Sequence, residues 1–266
     1  YLKTGETYKE PGYKVLSTTG KDLTSRVKVT GNVDTKTPGT YKLTSDKSYA
    51  KVTLLKSLDC SPKSEVENAF LEIGITGYIE VKDDTYAVKL HNNVKMEKID
   101  LENMPSNIQT TISEPNVYIV GKDIAPGIYK MENAYVSRYS NINVDSENCI
   151  DSKSYDYGYI EIKNTDISIF LRKGKITKVD IETIPVDYKT NLSYGAFIVG
   201  KDIEPGTYKI NAVNSSYACR EVNVYSSLDV EDLTSYFKGN YGYIEIDPTD
   251  YMVEVGDNAL LTKVEI

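Results

Sequence analysis

The chain has 266 residues, 40% of them hydrophobic and 26% charged, and this composition predicts a folded protein rather than a disordered one. The 39 acidic residues outnumber the 31 basic ones, and the net charge of -8 disfavours nucleic acid and anionic lipid as partners. No apolar run reaches the roughly 20 residues of a membrane helix, and residues 1–5 lack a hydrophobic signal core. We therefore expect the mature part of an exported protein, without a membrane-spanning segment.

Three sequence elements recur in the same order along the chain and predict a threefold repeat. Each repeat opens on Pro-Gly-x-Tyr-Lys, continues with Gly-Tyr-Ile-Glu and closes with a short alternating strand. The openings are 38–42, 126–130 and 205–209, the middle segments are 77–80, 158–161 and 242–245, and the closing strands are 97–101, 177–181 and 262–266. Near-identical Val-Gly-Lys-Asp-Ile segments at 120–124 and 199–203 precede the last two openings.

The residues before the first repeat have no counterpart later in the chain. Their motifs are Gly5-x-x-Tyr8-x-x-Pro11-Gly12, then residues 20–34, then Pro38-Gly39-Thr40-Tyr41. This stretch, which extends to about residue 45, resembles the bacterial Ig-like modules found in tandem on Gram-positive envelope proteins. That family normally continues into a longer hairpin, so Pro38-Gly39 belongs to the Ig-like module, to the first repeat, or to both.

The later repeats resemble small β-modules of Gram-positive surface proteins and lipoproteins through Val-Gly-Lys-Asp-Ile-x-Pro-Gly-x-Tyr-Lys. The two resemblances imply an extracellular or cell-envelope location and supply no active site. Polar joining segments carry Pro105 and Pro185. We accordingly expect three domains: an Ig-like segment fused to a divergent first repeat at 1–102, a second repeat at 103–182 and a third repeat at 183–266.

Within each repeat, the part between the opening and Gly-Tyr-Ile-Glu varies in length. The acidic residues 229–232 followed by Leu233 and Phe237 predict a short helix in the third repeat. Ser61 and Pro62 are typical of a helix start in the first repeat, with Val66, Phe70 and Ile73 on one face. The shorter second repeat predicts a loop at this place.

Alternating apolar residues and turn residues predict antiparallel strands in the rest of each repeat. Turns are expected at 164–166 and at Lys173-Gly174, with equivalents of the latter at 91–93 and 256–258. The predicted fold is mainly β: tandem small antiparallel sandwich-like or barrel-like modules with at most one short helix each.

No constellation typical of catalysis or of metal binding is evident, and we expect no enzyme activity, cofactor or metal. His91, the single histidine, is expected in a solvated turn. Cys60, Cys149 and Cys219 form no zinc motif, and their odd number leaves at least one thiol free or paired between chains. Val-Gly-Lys-Asp lacks the remainder of a phosphate loop, and the acidic clusters lack calcium-loop spacing.

Tyrosines offer the strongest candidate for a ligand contact, because exposed tyrosine rings stack on sugars and anchor protein interfaces. We expect ligand contacts at Tyr155, Tyr157, Tyr236 and Tyr241. The tyrosine of each Gly-Tyr-Ile-Glu segment is expected to be structural instead. These positions are Tyr78, Tyr159 and Tyr243.

The leading functional hypothesis is a monomeric, non-enzymatic surface protein whose tandem β-modules act as an adhesive, ligand-binding or spacer stalk toward a protein or glycan. One alternative is a carbohydrate-binding accessory region of an envelope-associated hydrolase. A free-standing enzyme with a carboxylate pair between modules is a further alternative, since such pairs are assembled in space rather than in sequence.

Overall fold

The computed structural model describes residues 38–46, 50–56, 65–71, 74–91, 94–213, 221–229, 231–239 and 241–264. Within these ranges it contains seventeen strands and a single 3-10 helix, with no α-helix. The strands are β1 (Gly39–Thr44), β2 (Ala50–Leu55), β3 (Glu65–Leu71), β4 (Gly77–Val81), β5 (Ala87–His91), β6 (Lys95–Lys98), β7 (Thr111–Ile112), β8 (Asn116–Ile119), β9 (Gly127–Tyr139), β10 (Cys149–Ile162), β11 (Ser168–Lys178), β12 (Leu192–Ile198), β13 (Gly206–Ala212), β14 (Glu221–Tyr225), β15 (Leu233–Lys238), β16 (Gly242–Ile246) and β17 (Met252–Lys263). The predicted mainly β, antiparallel fold is confirmed.

The chain divides into two compact units. The first comprises Tyr1–Met104 and Ile142–Glu147, and it contains two three-stranded sheets of order β4-β1-β6 and β3-β2-β5. The second comprises Pro105–Asn141 and Asn148–Ile266, and its strands form one 11-stranded sheet. The predicted domain boundaries near residues 102 and 182 stay predictions, as does the role of residues 1–37, which lie outside the described part of the chain.

Strand pairing is the same in all three repeats. The Pro-Gly-x-Tyr-Lys strand lies between the Gly-Tyr-Ile-Glu strand on one side and the closing strand on the other. The pairs toward Gly-Tyr-Ile-Glu are Gly39 with Val81, Gly127 with Ile162 and Gly206 with Ile246, and those toward the closing strand are Tyr41 with Lys98, Tyr129 with Lys178 and Tyr208 with Lys263. The recurring motifs are thus three neighbouring antiparallel strands, with the Pro-Gly-x-Tyr-Lys strand in the middle.

The Pro-Gly-x-Tyr-Lys motif has a packing explanation. Its tyrosine points into the core in every repeat, and the Tyr129 hydroxyl donates to the Ala125 carbonyl at 2.8 Å. Its glycine has a positive φ, 138° at Gly127, where a Cβ would lie 2.8 Å from Lys178 Cε. The Lys178 ammonium crosses this glycine to donate to the Pro126 carbonyl at 2.7 Å. Glycine is therefore favoured by the backbone conformation, and its lack of a side chain leaves room for the lysine that lies across it.

The closing strands of the second and third repeats, β11 and β17, are continuous, and each contains one residue with a positive φ. A tight turn between two strands was expected at Lys173-Gly174, but β11 runs without interruption through both residues. Gly174 has a φ of 80°, and Asn258 in β17 has a φ of 64°. The expectation of positive φ is confirmed at both positions, whereas the expected turn is wrong. A single left-handed residue bends a strand and lets it continue along the neighbouring strand.

Both predicted helices are wrong. Residues Leu233–Lys238 form β15, which pairs with β14, and Glu65–Leu71 form β3, which pairs with β2. The expected helix start at Ser61 and Pro62 lies outside the described residues, as does Ile73. An apolar spacing over so few residues fits either a helix or a strand, and pairing with a distant strand decides the outcome.

The acidic residues ahead of β15 form turns instead of a first helical turn. The Asp229 carboxylate accepts the Glu231 backbone N–H at 3.1 Å, and the Asp232 carbonyl accepts the Ser226 N–H at 3.0 Å. In the second repeat, the expected loop is present at residues 140–148, where it joins the long paired strands β9 and β10.

Two hydrophobic clusters occupy the second unit, and the larger one crosses the boundary between the second and third repeats. It contains Tyr129, Tyr159 and Ile160 from the second repeat together with Ala196 and Ile198 from the third. The other cluster lies within the third repeat around Phe197 and Tyr208. Because burial of apolar surface is the main stabilising contribution to folding, we infer that the two repeats stabilise each other.

Candidate functional site

Exposed tyrosines concentrate on β15, on β16 and at the residue just before β16 in the third repeat. The exposed fractions are 69% for Tyr236, 76% for Tyr241 and 65% for Tyr243. Strand alternation explains this, because Val222 and Val224 of β14 face the core, whereas Asn223 pairs with Tyr236 on the outward face. Tyr243 likewise pairs with the exposed Lys209, while its neighbour Ile244 is buried. We call Tyr236, Tyr241 and Tyr243 the aromatic edge.

Tyr155, the first of the expected contact residues, is only 4% exposed. Its hydroxyl donates to Glu254 Oε1 at 2.5 Å, and the Tyr225 hydroxyl donates to Glu254 Oε2 at 2.8 Å. Lys153 Nζ lies 3.8 Å from the same carboxylate. Tyr155 thus belongs to a buried polar network, and its ring is not accessible to a ligand in this structure.

This network keeps the Glu254 carboxylate charged. Burial alone raises the pKa of Glu254, but the Lys153 ammonium and the hydrogen bonds from Tyr155 and Tyr225 outweigh burial and hold the pKa below its ordinary value. Burial and the nearby Glu254 charge raise the pKa of Tyr155 well above its ordinary value. The tyrosines accordingly act as hydrogen-bond donors to a fixed anion, an arrangement that joins β10, β14 and β17.

Tyr157 is half-buried and lies against the third repeat. Its ring stacks on Phe197 with centroids 5.7 Å apart and an interplanar angle of 17°. Its hydroxyl donates to Asp202 Oδ1, and it lies 3.1 Å from the Tyr159 hydroxyl. The ammonium groups of Lys130 and Lys189 lie 5.0 and 5.3 Å from the ring centroid. Tyr157 therefore already contacts a partner, which is the first strand and turn of the third repeat.

The environment of Tyr157 and Tyr159 also raises the pKa of both hydroxyls. Burial, followed by the hydrogen bond to Asp202, raises the pKa of Tyr157 far above its ordinary value. Burial likewise raises the pKa of Tyr159. Neither hydroxyl loses its proton near neutral pH, and both remain donors.

The tyrosines of Gly-Tyr-Ile-Glu do not all share one environment. Tyr78 and Tyr159 are 7% and 2% exposed and pack in the interior, in keeping with the structural role expected for them. Tyr243 occupies the same motif position and is exposed. Of the expected contact residues, the structure thus places Tyr236 and Tyr241 at the surface, beside Tyr243, which was expected to be structural.

The Val-Gly-Lys-Asp segments form turns that are built alike in both repeats. Gly121 and Gly200 have φ of 83° and 76°, and a carboxylate oxygen of the following aspartate accepts a strand N–H. Asp123 accepts from Ile119 at 2.8 Å and Asp202 accepts from Ile198 at 3.0 Å. Because these carboxylates already accept backbone protons, their arrangement serves to close a turn.

Other candidate residues are separated from one another. His91 ends β5 as a half-buried strand residue, and the other two residues of the turn expected at 91–93 lie outside the described part of the chain. The described Cys149 is a free thiol, and Cys60 and Cys219 lie outside the described residues. Among the described residues, no three His, Cys, Asp or Glu side chains are grouped so that they could hold a metal ion.

Sequence reasoning missed the importance of Asp202 and Tyr243. A usable signal was present, because Tyr-Gly-Tyr-Ile-Glu occurs in full at 157–161 and again at 241–245. Aligning these five residues places Tyr157 with Tyr241 and Tyr159 with Tyr243. One pair is covered by the following repeat, and the other pair is exposed.

Comparison with known proteins identifies one region of the chain. Residues 1–50 match the family model described as bacterial surface protein, Ig-like domain. No curated protein and no solved structure matches the chain. None of the described residues forms a helix with the length and apolarity needed to cross a bilayer. The match at residues 1–50 points to a location at the bacterial cell surface.

Proposed function

We propose that this chain is a non-catalytic part of a bacterial surface protein, in which the second and third repeats form a rigid spacer. The main supporting observation is that the first strand of the third repeat, β12, is built into the sheet of the second repeat. β12 pairs in parallel with β10 through Gly195 and Tyr157, and antiparallel with β17. A spacer keeps its length only when its modules cannot swing freely about their linker.

The segment between the two repeats is also attached. The backbone N–H groups of Asp187 and Lys189 donate to the carbonyls of Lys201 and Asp202 at 2.8 and 2.7 Å. The Lys201 ammonium donates back to the carbonyls of Glu182 and Ile184 at 3.1 and 2.9 Å. The linker is therefore held against the Val-Gly-Lys-Asp turn, although most of its side chains are exposed.

Tyr157→Ala is expected to loosen this junction, because it removes the stacking on Phe197 and the hydrogen bond to Asp202. Trypsin cleavage after Lys189 should accelerate by about tenfold or more as the linker opens locally. Tyr241→Ala is the matched control, since Tyr241 has the same motif position but an exposed ring. It should leave this cleavage rate unchanged. Rapid cleavage after Lys189 in the unsubstituted protein would contradict a rigid spacer.

A carbohydrate-binding role is a second candidate, supported by the exposure of Tyr236 and Tyr241. Exposed tyrosine rings offer large apolar faces with a polar tip, which suits stacking on sugar rings. In this role the chain would serve as the binding region of an envelope-associated hydrolase or as an adhesin that recognises a glycan.

A glycan array probed with the labelled full chain tests the second candidate. Tyr236→Ala should abolish any signal at an unchanged melting temperature, because an exposed side chain contributes little to stability. Tyr188→Ala is the control, since Tyr188 is also exposed, at 44%, but lies in the linker. An array without signal, or a signal that survives Tyr236→Ala, would contradict carbohydrate binding through the aromatic edge.

A further inference from the structure

The same five residues have opposite surroundings in two consecutive repeats. Tyr159 is 2% exposed and Tyr157 is half-buried, whereas their counterparts Tyr243 and Tyr241 are 65% and 76% exposed. Since the sequence Tyr-Gly-Tyr-Ile-Glu is identical in both repeats, the difference lies in what covers these residues.

The third repeat covers the first pair with three residues of its leading segment. Phe197 stacks on the Tyr157 ring, and Asp202 accepts the Tyr157 hydroxyl proton. Gly195 brings the backbones together, because a Cβ there would clash with the Tyr157 carbonyl oxygen. The occupant is thus a strand with a close-approach glycine, then an aromatic residue, and then a turn that ends in a carboxylate.

Besides the two tyrosines, other residues of the second repeat that surround Tyr157 and Tyr159 also have counterparts in the third repeat. Lys130, whose ammonium lies 5.0 Å from the Tyr157 ring centroid, corresponds to Lys209, which is exposed and pairs with Tyr243. In both repeats an aromatic ring also covers the motif glycine. A Cβ at Gly158 would lie 2.7 Å from Tyr155 Cδ2, and one at Gly242 would lie 2.7 Å from Phe237 Cζ.

We propose that Tyr241, Gly242, Tyr243 and Lys209 form a docking edge for the leading strand and turn of a further repeat of this type. The occupant follows from the interface between the second and third repeats, since its receiving residues recur with the same identities. An aromatic ring would stack on Tyr241, and an aspartate would accept the Tyr241 hydroxyl proton. This inference does not depend on the spacer role, because it concerns the opposite edge of the third repeat.

The closing strand allows a direct test. Thr177-Lys178-Val179-Asp180-Ile181 corresponds to Thr262-Lys263-Val264-Glu265-Ile266, so Ile266 matches Ile181. A second copy of residues 182–266 appended after Ile266 reproduces the junction between the second and third repeats. The same linker then joins the closing strand of one repeat to the first strand of the next. The attached copy is also present at a high effective concentration, so that even weak docking is populated.

Tyrosine nitration by tetranitromethane, located by peptide mass spectrometry, reports which rings are covered. The appended copy carries Tyr241→Phe and Tyr243→Phe, so that nitration at these two positions is read only from the original third repeat. In the extended chain, Tyr241 and Tyr243 of that repeat should react about tenfold more slowly than in the original chain, as expected for a docked edge that opens only locally. Tyr236 is the internal control. It is exposed and lies outside the docking edge of Tyr241, Gly242, Tyr243 and Lys209, and so its nitration should not change.

A second extended chain identifies the contacts. It carries Gly195→Ala only in the appended copy, where the added Cβ would meet the Tyr241 carbonyl oxygen as it would meet that of Tyr157, and it should lose most of the protection of Tyr241 and Tyr243. An appended copy that folds without covering these tyrosines, or that stays unfolded beside them, overturns the inference, because the same segment folds against Tyr157 and Tyr159. The spacer proposal is tested separately, by trypsin cleavage after Lys189 in the original chain. A failure of docking in the extended chain would leave that result unchanged.

Discussion

Asp166→Ala is expected to lower the free energy of unfolding by about 3 to 5 kcal/mol, the range for breaking a buried ion pair from one side. The Asp166 side chain is 0% exposed, and it accepts from Arg138 Nε at 2.8 Å and Arg138 Nη2 at 3.1 Å. It also accepts the Lys163 backbone N–H at 2.8 Å. After the substitution, the nearest remaining carboxylate to Arg138 is Asp151 at 3.9 Å. A buried guanidinium would then be left with an incomplete set of partners.

Urea denaturation of two further variants separates the contribution of the ion pair to stability from the contribution of the turn hydrogen bond. Asp250→Ala removes the equivalent turn acceptor in the third repeat, where Asp250 accepts the Asp247 N–H at 2.8 Å and the Thr234 hydroxyl at 3.1 Å. It should cost about 1 kcal/mol. The double variant Arg138→Met, Asp166→Asn removes both charges and keeps an acceptor for Lys163, and it should recover most of the lost stability. Equal losses for Asp166→Ala and Asp250→Ala would show that the ion pair contributes nothing.

Local sequence determines the parts of the fold that were predicted. Pro-Gly-x-Tyr-Lys and Gly-Tyr-Ile-Glu predicted strands because the alternation of core and surface residues is complete within each motif. The positive φ of Gly174 and Asn258 followed from residue type alone. These features need no knowledge of distant residues.

Features that depend on distant partners were not predictable in the same way. β15 is a strand because it pairs with β14, and its short apolar spacing also fits a helix. Tyr155 is buried because its hydroxyl reaches Glu254, which lies 99 residues away in sequence. Tyr236 is exposed, although it is also a tyrosine that directly follows a serine, as Tyr155 does. A single strand does not reveal which of its faces the rest of the fold will cover.

The repeat itself carried more information than the individual residues did. Comparison of Tyr157 with Tyr241 required only the alignment of two identical segments, and the structure then showed that one is covered and the other exposed. In repeat proteins, stability arises from each module and from its interface with the next one. An interface residue is thus recognised most readily by comparing successive copies.

Gly174→Ala is expected to destabilise the protein by about 2 to 5 kcal/mol, from two causes that act together. The backbone φ of 80° is strained for any residue with a Cβ. That Cβ would also lie 2.5 Å from Ala134 Cα, a backbone atom of the neighbouring strand β9. Since β9 is paired on both sides, with β10 and with β11, it cannot move away without disturbing both pairings.

Gly121→Ala and Gly200→Ala are matched controls that isolate the second cause. Their φ values of 83° and 76° are close to that of Gly174, but a Cβ at either position meets nothing within 4 Å. Each should therefore cost only the conformational strain, about 1 to 2 kcal/mol. Thermal and urea denaturation of the three variants would measure the difference. If Gly174→Ala cost no more than the controls, close packing of the bent strand β11 against β9 would not be a determinant of this fold.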